Sequence, residues 1–148
     1  MEENLEKLRR YCVYQDRCHQ EVRTKLLSLK VYGDELEEIM AELVSENFLN
    51  EERYARSYCR GKYKIKKWGR NKIRQELKKR YISDYCIKKG MTEIEEDIYM
   101  ENLIHLMEKK KSEYRGKAKV KDKLIKFLIS KGYESHLVFE ILKDEKWY

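Results

Sequence analysis

The sequence predicts an all-α protein, three tandem three-helix repeats forming an elongated, curved body, on three observations. The 148 residues include no proline and only six glycines, so little interrupts a helix. Apolar residues recur at three- and four-residue spacing along almost the whole chain. Charged and hydrophobic residues each make up 41%, the balance expected when every element buries a single stripe. The length suffices for a core that folds independently.

The first helix carries Leu5, Leu8 and Cys12, and the second Val22, Leu26 and Leu29. Gly33 is expected to supply the left-handed turn before the third, which holds Leu36, Ile39, Met40 and Leu43, with Asp34 accepting from free amides. Asn50, followed by Glu51 and Glu52, starts the fourth, with Tyr54, Tyr58 and Ile65 on its buried stripe. Gly61 lies on that stripe, where a close approach by a neighbouring helix would justify it. Gly69 precedes the fifth helix, with Ile73 and Leu77. Ser83 opens a short sixth with Ile87, which Gly90 closes. Thr92 and Glu95 read as a capping box for the seventh, with Met100, Leu103, Ile104 and Met107. Gly116 introduces the eighth, with Val120, Leu124, Phe127 and Leu128. Gly132 separates it from a ninth with Leu137, Val138, Ile141 and Leu142.

A β-branched residue followed by leucine four later occurs as Val22 with Leu26, Ile73 with Leu77, and Val120 with Leu124, at offsets of 51 and 47. An apolar pair of the following helix trails each: Ile39 with Leu43, Ile87 with Met91, Val138 with Leu142. Three units, 1–49, 50–92 and 93–148, are the economical reading, with one compact helical bundle as the alternative.

Charge is placed unevenly. Arg60 to Tyr81 holds eleven Lys or Arg against Glu76 alone, whereas the whole chain carries only +7. Lys109 to Lys131 holds ten against Glu113 and Asp122, while Gly33 to Glu52 has eight carboxylates and no Lys or Arg. Clustered like charges repel unless a partner neutralises them, so a target bearing phosphates or acidic side chains is implied. The bland alternative is a solvated helix face. Tyr63 and Trp68 interleave with the basic residues as in a single-stranded nucleic-acid site, where rings stack on bases, although a tryptophan at a helix joint also serves as packing.

The stretch from Leu49 to Ile82 adds a specific pattern. Leu49, Asn50, Glu51, Glu52, Arg53, Tyr54 and Ala55 are followed by Arg60, by Gly69, and by Ile73, Arg74, Gln75, Glu76 and Leu77. This resembles the central signature of the RecX family of recombination regulators. That family has Leu-Asn-Asp-Glu-Arg-Phe-Ala, arginines, a glycine-containing joint and an Ile-Arg-Gln-Glu-Leu helix before Lys-Gly-Ile. Tyr81 stands where the Lys-Gly-Ile turn has glycine, and the first unit reads Asp16 to Leu26 in place of the family's Arg-x-x-Ser-x-x-Glu-Leu.

The resemblance implies a cytoplasmic, non-enzymatic bacterial protein that binds the RecA recombinase filament and restrains strand exchange, ATP turnover and co-protease activity. The basic face expected to meet RecA or single- or double-stranded DNA comprises Arg60, Lys62, Lys64, Lys66, Lys67, Arg70, Lys72, Arg74 and Lys78. Tyr63 and Trp68 are the stacking candidates. Lys117, Lys119, Lys121, Lys123 and Lys126 form a secondary basic surface. Simultaneous charge reversal at Lys66, Lys67, Arg70 and Arg74 is expected to abolish inhibition. A stand-alone helical module for single-stranded nucleic acid is the alternative function.

No catalytic residue, metal site or cofactor is expected. Cys12, Cys18 and His19 are close in sequence, but no CxxC or HxxxH pair exists, and Cys12, Cys18, Cys59 and Cys86 read as buried thiols. His19, His105 and His136 are isolated from one another, so no nucleophile and base pair can be named. The four scattered cysteines and the lack of a secretory leader imply a reduced, cytoplasmic setting. No run approaches the ~18–20 apolar residues of a membrane span. A monomer is expected, since three packed units leave no apolar stripe uncovered.

Overall fold

The computed structural model describes residues 1–143 and Glu145. Among these there are nine helices and no strand: α1 (Glu2–Tyr14), α2 (His19–Ser28), α3 (Gly33–Ser45), α4 (Glu51–Lys64), α5 (Arg70–Lys79), α6 (Asp84–Met91), α7 (Glu96–Glu113), α8 (Val120–Ser130) and α9 (Ser135–Leu142). The chain exposes 9355 Å², against about 8,100 Å² for a compact protein of its mass, as expected of an extended array of small units.

The same turn ends α2, α5 and α8. Val31, Ile82 and Tyr133 donate their amides back to the carbonyls of Leu26, Leu77 and Leu128, six-to-one bonds that close each helix. The residues in between, Lys30 (φ 62°), Tyr81 (φ 59°) and Gly132 (φ 99°), are left-handed, and the residue that follows each is buried. These turns stand 51 residues apart, and so do Val22, Ile73 and Leu124, and Leu26, Leu77 and Leu128.

The true period therefore corrects the expected pairing. Leu124 and Leu128, both fully buried, take the place assigned to Val120 and Leu124, since Val120 is only the half-buried first residue of α8. Likewise Leu36 and Met40, not Ile39 and Leu43, correspond to Ile87 with Met91 and Val138 with Leu142. Gly33 is left-handed as expected (φ 56°) and opens α3, Lys30 adds a second left-handed residue at the end of α2, and no side chain caps the first amides of α3.

Local caps follow the sequence in part. Asn50 Oδ1 accepts the Arg53 amide at 2.9 Å and Ser83 Oγ the Cys86 amide at 3.2 Å. Glu21 Oε1 accepts the Cys18 amide at 3.2 Å. Thr92 does not cap α7: its hydroxyl donates to the Lys89 carbonyl at 2.6 Å, and Glu95 stands at the N-cap. Ile65, expected on the buried stripe, is 79% exposed because α4 ends at Lys64. Nothing lies within 4 Å of a Cβ at Gly61. The close approach belongs to Gly90, inside α6, where a Cβ would stand 2.8 Å from the Ala55 carbonyl oxygen and 2.9 Å from Cys59 Sγ.

Buried side chains form two cores. One lies within α1–α3 and their loops, around Leu8, Val22, Leu26, Ile39 and Leu43. The other runs without a break through α4–α9, joining Tyr63, Ile73 and Leu77 to Tyr99, Leu103, Leu124, Leu128 and Val138, and takes in Cys18 from the loop before α2.

The joints between the helix triplets differ accordingly. Between the first and second, Arg53 bonds Asp16 at 3.1 Å and the carbonyls of Asn47 and Phe48 at 2.9 and 3.0 Å. Between the second and third, backbone meets backbone: Gly69 donates to Lys131 O at 2.7 Å and Asn71 to Gly132 O at 2.9 Å. Tyr133 Oη adds a bond to Lys67 O at 2.7 Å and Asn102 Nδ2 one to Tyr63 O at 2.8 Å. A Cβ on Gly69 would collide with the backbone of Gly132 and Tyr133, so only glycine permits this approach.

Candidate functional site

The basic segment divides into cations that hold the fold together and cations that face solvent. Arg70, expected on the binding face, lies instead between the second and third triplets, paired with Glu96 and with Glu134, the latter at 2.8 Å. Its ring neighbour Tyr99, 4.0 Å from the guanidinium, bonds the Glu134 carboxylate through its hydroxyl. Burial alone would push the Glu134 carboxyl up, but bonds from Tyr99 and Arg70 hold it below the usual carboxylate range. The four-fold charge reversal that included Arg70 would thus break the fold along with any interface. Arg60 is paired with Glu93, and Arg80 lies against Glu76 at 3.4 Å.

Tyr63 is also corrected. Its side chain is fully buried, with the hydroxyl 3.4 Å from the Glu95 amide, so it presents no face to a base. Trp68 is half-buried, packed against the larger core with Tyr58 edge-on at 6.4 Å. Its ring lies between Lys62 and Lys72, whose ammonium groups stand 4.8 and 4.4 Å from the ring centre. Such contacts hold cations over an apolar plate without neutralising them.

Around Trp68 the structure gathers a cluster of lysines from both triplets. Burial and the charges of Lys66, Arg80 and Lys72 press the Lys62 ammonium below the usual lysine range. Burial together with Lys72, Lys110 and Lys66 does the same to Lys131. Lys110 stands 4.7 Å and Lys131 5.9 Å from the Phe127 ring centre. Lys62, Lys66, Lys72 and Lys131 make no ion pair among the described residues, while Lys110 has Glu113 at 2.8 Å.

Lys131, Lys110 and Phe127 were not singled out as members of this face. They are some 40 to 70 residues from Lys62 in sequence, and the packing of the second triplet on the third, which includes the Gly69–Gly132 contact, brings them to the same face. Lys64, Lys66 and Lys78 are exposed, Lys67 and Arg74 half-buried, and Arg74 bonds Asn71 at 3.1 Å. Lys117, Lys119, Lys121, Lys123 and Lys126 are all exposed, with Lys119 left-handed at the start of α8.

The acidic stretch of the first triplet is balanced in part within the fold. Glu37 pairs with Arg23 at 2.6 Å and Glu46 with Arg9 at 2.9 Å. All four cysteines are free and buried, and burial pushes the Cys59 thiol up to about 12, which leaves it protonated and unreactive at neutral pH. Among the described residues, no three His, Cys, Asp or Glu side chains converge as a metal site, and no helix is long and apolar enough to cross a membrane.

Residues 50–91 match the family description "RecX, second three-helix domain" and residues 96–142 match "RecX, third three-helix domain". This chain belongs to the RecX family. Relatives named "Regulatory protein RecX" include those of Bacillus mycoides (strain KBAB4), 32% identical over 141 residues, and Bacillus cereus (strain B4264), 30% identical over 141 residues. Each alignment takes in 92% of this chain and 52% of the relative, so the chain spans about half the length of these curated relatives. A crystal structure of regulatory protein RecX superposes with a TM-score of 0.86 at 26% identity, covering 97% of this chain and 71% of that one. RecX from Lactobacillus salivarius gives 0.81 at 25% identity, covering 97% of both.

The RecX signature acquires a physical meaning here. Leu49 is buried, Asn50 caps α4, Arg53 ties the first triplet to the second, and Ala55 sits under Gly90. The motif describes how the triplets fit together, and the solvent-facing lysines lie outside it.

Proposed function

We propose that this RecX-family chain binds the RecA nucleoprotein filament and restrains strand exchange, ATP turnover and co-protease activity, acting by occupying a surface and catalysing nothing itself. The observation that carries this reading is the lysine cluster around Trp68, set on a family scaffold whose relatives are named as regulatory proteins. Unneutralised lysines from α4, the loop after it, α5 and the residue that ends α8 suit an acidic surface or a phosphate backbone lying across both triplets. We take the working units as 1–49, 50–92 and 93–148, of which Asp144 and Lys146 to Tyr148 lie outside the described residues. The basic face is Lys62, Lys64, Lys66, Lys67, Lys72, Lys78 and Arg74, joined by Lys110 and Lys131, with the 117–126 lysines as a second surface. The molecule works as a cytoplasmic monomer.

The test is the decay of DNA-stimulated RecA ATPase as the protein is added. The proposal expects turnover to fall at ratios at or below one protein per recombinase. Unchanged turnover would refute it. A second reading, a free-standing binder of single-stranded nucleic acid, is favoured by the half-buried Trp68 plate between two lysines. Nanomolar binding to free oligonucleotide with no effect on RecA would establish that reading instead.

A further inference from the structure

The polar joint between the first and second triplets encloses a cleft of about 720 Å³. Its walls mix three carboxylates, Asp16, Glu21 and Glu76, with three cations, Lys62, Lys79 and Arg80, and include Tyr58. Most of these groups already have partners. Asp16 binds Arg53 at 3.1 Å, Glu21 lies 3.6 Å from Arg17, and Glu76 holds Lys79 at 2.9 Å and Arg80 at 3.4 Å.

Two donors do not. The Tyr58 hydroxyl is shut off from solvent and has no hydrogen-bond partner. Lys62, one helical turn further along α4, has its ammonium 5.3 Å from the Tyr58 ring centre and forms no ion pair among the described residues. A buried hydroxyl and, over the same ring, a partly desolvated ammonium, both lacking an acceptor, make a pair of donors suited to an oxyanion.

The surrounding charges select which oxyanion. Asp16, Glu21 and Glu76 are balanced by Lys62, Lys79 and Arg80 across the walls, so a nucleic-acid strand, with a negative charge at every nucleotide, finds no excess of cations there to neutralise it. A protein segment can bring one carboxylate to the two donors and set neutral groups against the rest of the wall, whose charges are already paired. We propose that this cleft receives a single Asp or Glu side chain from the partner protein, its carboxylate accepting from Tyr58 Oη and Lys62 Nζ. The flexible Lys62 chain, which covers the Tyr58 ring, moves aside to admit it. The proposal rests on the reading of the chain as a protein-binding regulator and adds the specificity contact that the open lysine cluster lacks.

Tyr58→Phe removes one oxygen atom and no charge, which makes it the decisive variant. Its melting temperature should equal or exceed that of the parent, because the hydroxyl has no partner to lose. Its affinity for RecA filaments on single-stranded DNA should nonetheless fall about tenfold, the cost of losing one charge-assisted hydrogen bond. Lys62→Gln should also weaken filament binding, and the double variant should lose less than the product of the two, since both groups serve one carboxylate. Binding of a free dT oligomer should be unchanged in Tyr58→Phe. Filament binding by Tyr58→Phe within twofold of the parent would overturn the assignment alone, as would an equal loss on the free oligomer, which would make the site a phosphate contact. Failure of the parent itself to bind filaments would overturn the assignment together with the proposed function.

Discussion

Replacing Gly69 by alanine tests the joint on which the lysine cluster depends. The added methyl would strike the Gly132 and Tyr133 backbone, which cannot swing aside as a flexible side chain would. Relief requires separating the second and third triplets, which stretches or breaks Gly69 N–H to Lys131 O, Asn71 N–H to Gly132 O and Tyr133 Oη–H to Lys67 O. At a net ~1 kcal/mol each, the loss is about 3 kcal/mol, which for a chain of this length lowers the melting temperature by about 10 °C. Circular-dichroism melting measures the shift, and amide exchange at Gly69 and Asn71 locates it. Because this contact helps set Lys131 beside Lys72 and Lys66, filament binding should weaken alongside. A melting temperature within about 2 °C of the parent, with both amides still protected, would refute the reasoning.

Two further outcomes are expected. Tyr81→Gly should stabilise the protein by about 1 kcal/mol in chemical denaturation, since Tyr81 is 81% exposed and held left-handed at φ 59°, a conformation that costs a side-chain-bearing residue but not glycine. The Glu134 carboxyl, held below its ordinary value, contributes stability that is present above the unfolded-state range near ~4.3 and is lost as pH falls through the lower folded value. Glu134→Gln should therefore lower the melting temperature at pH 7 and lose less than the parent on acidification to about pH 3.

The sequence made the all-α class, the helix count and the caps at Asn50 and Ser83 legible, because these rest on local periodicity and on side chains bonding amides two or three residues away. The register of the repeat was harder to read. It is fixed by the left-handed residues Lys30, Tyr81 and Gly132, of which only one is glycine, so the turn that defines the period is marked by no common residue type. Gly61 and Gly90 show the same limit: both are glycines in helices, and only tertiary packing reveals that Ala55 and Cys59 press on the second and nothing on the first.

The basic face was legible as charge and not as geometry. Arg70 and Tyr63 look like Lys66 and Trp68 in the sequence, yet Glu96 of α7 and Glu134, just before α9, draw Arg70 inward, and helical phase buries Tyr63. Lys110 and Lys131 join the face through the packing of the second triplet on the third, including the contact of two glycine backbones. The unpartnered hydroxyl of Tyr58 has no sequence signature.

The most direct test is the affinity of the parent and of a Lys66→Gln, Lys72→Gln, Lys131→Gln triple variant for RecA filaments and for free single-stranded DNA at one matched salt concentration. The account predicts that the parent prefers the filament, that the triple variant keeps its melting temperature, and that its filament affinity drops by an order of magnitude or more with a shallower salt dependence. A folded triple variant that binds filaments as tightly as the parent would contradict it.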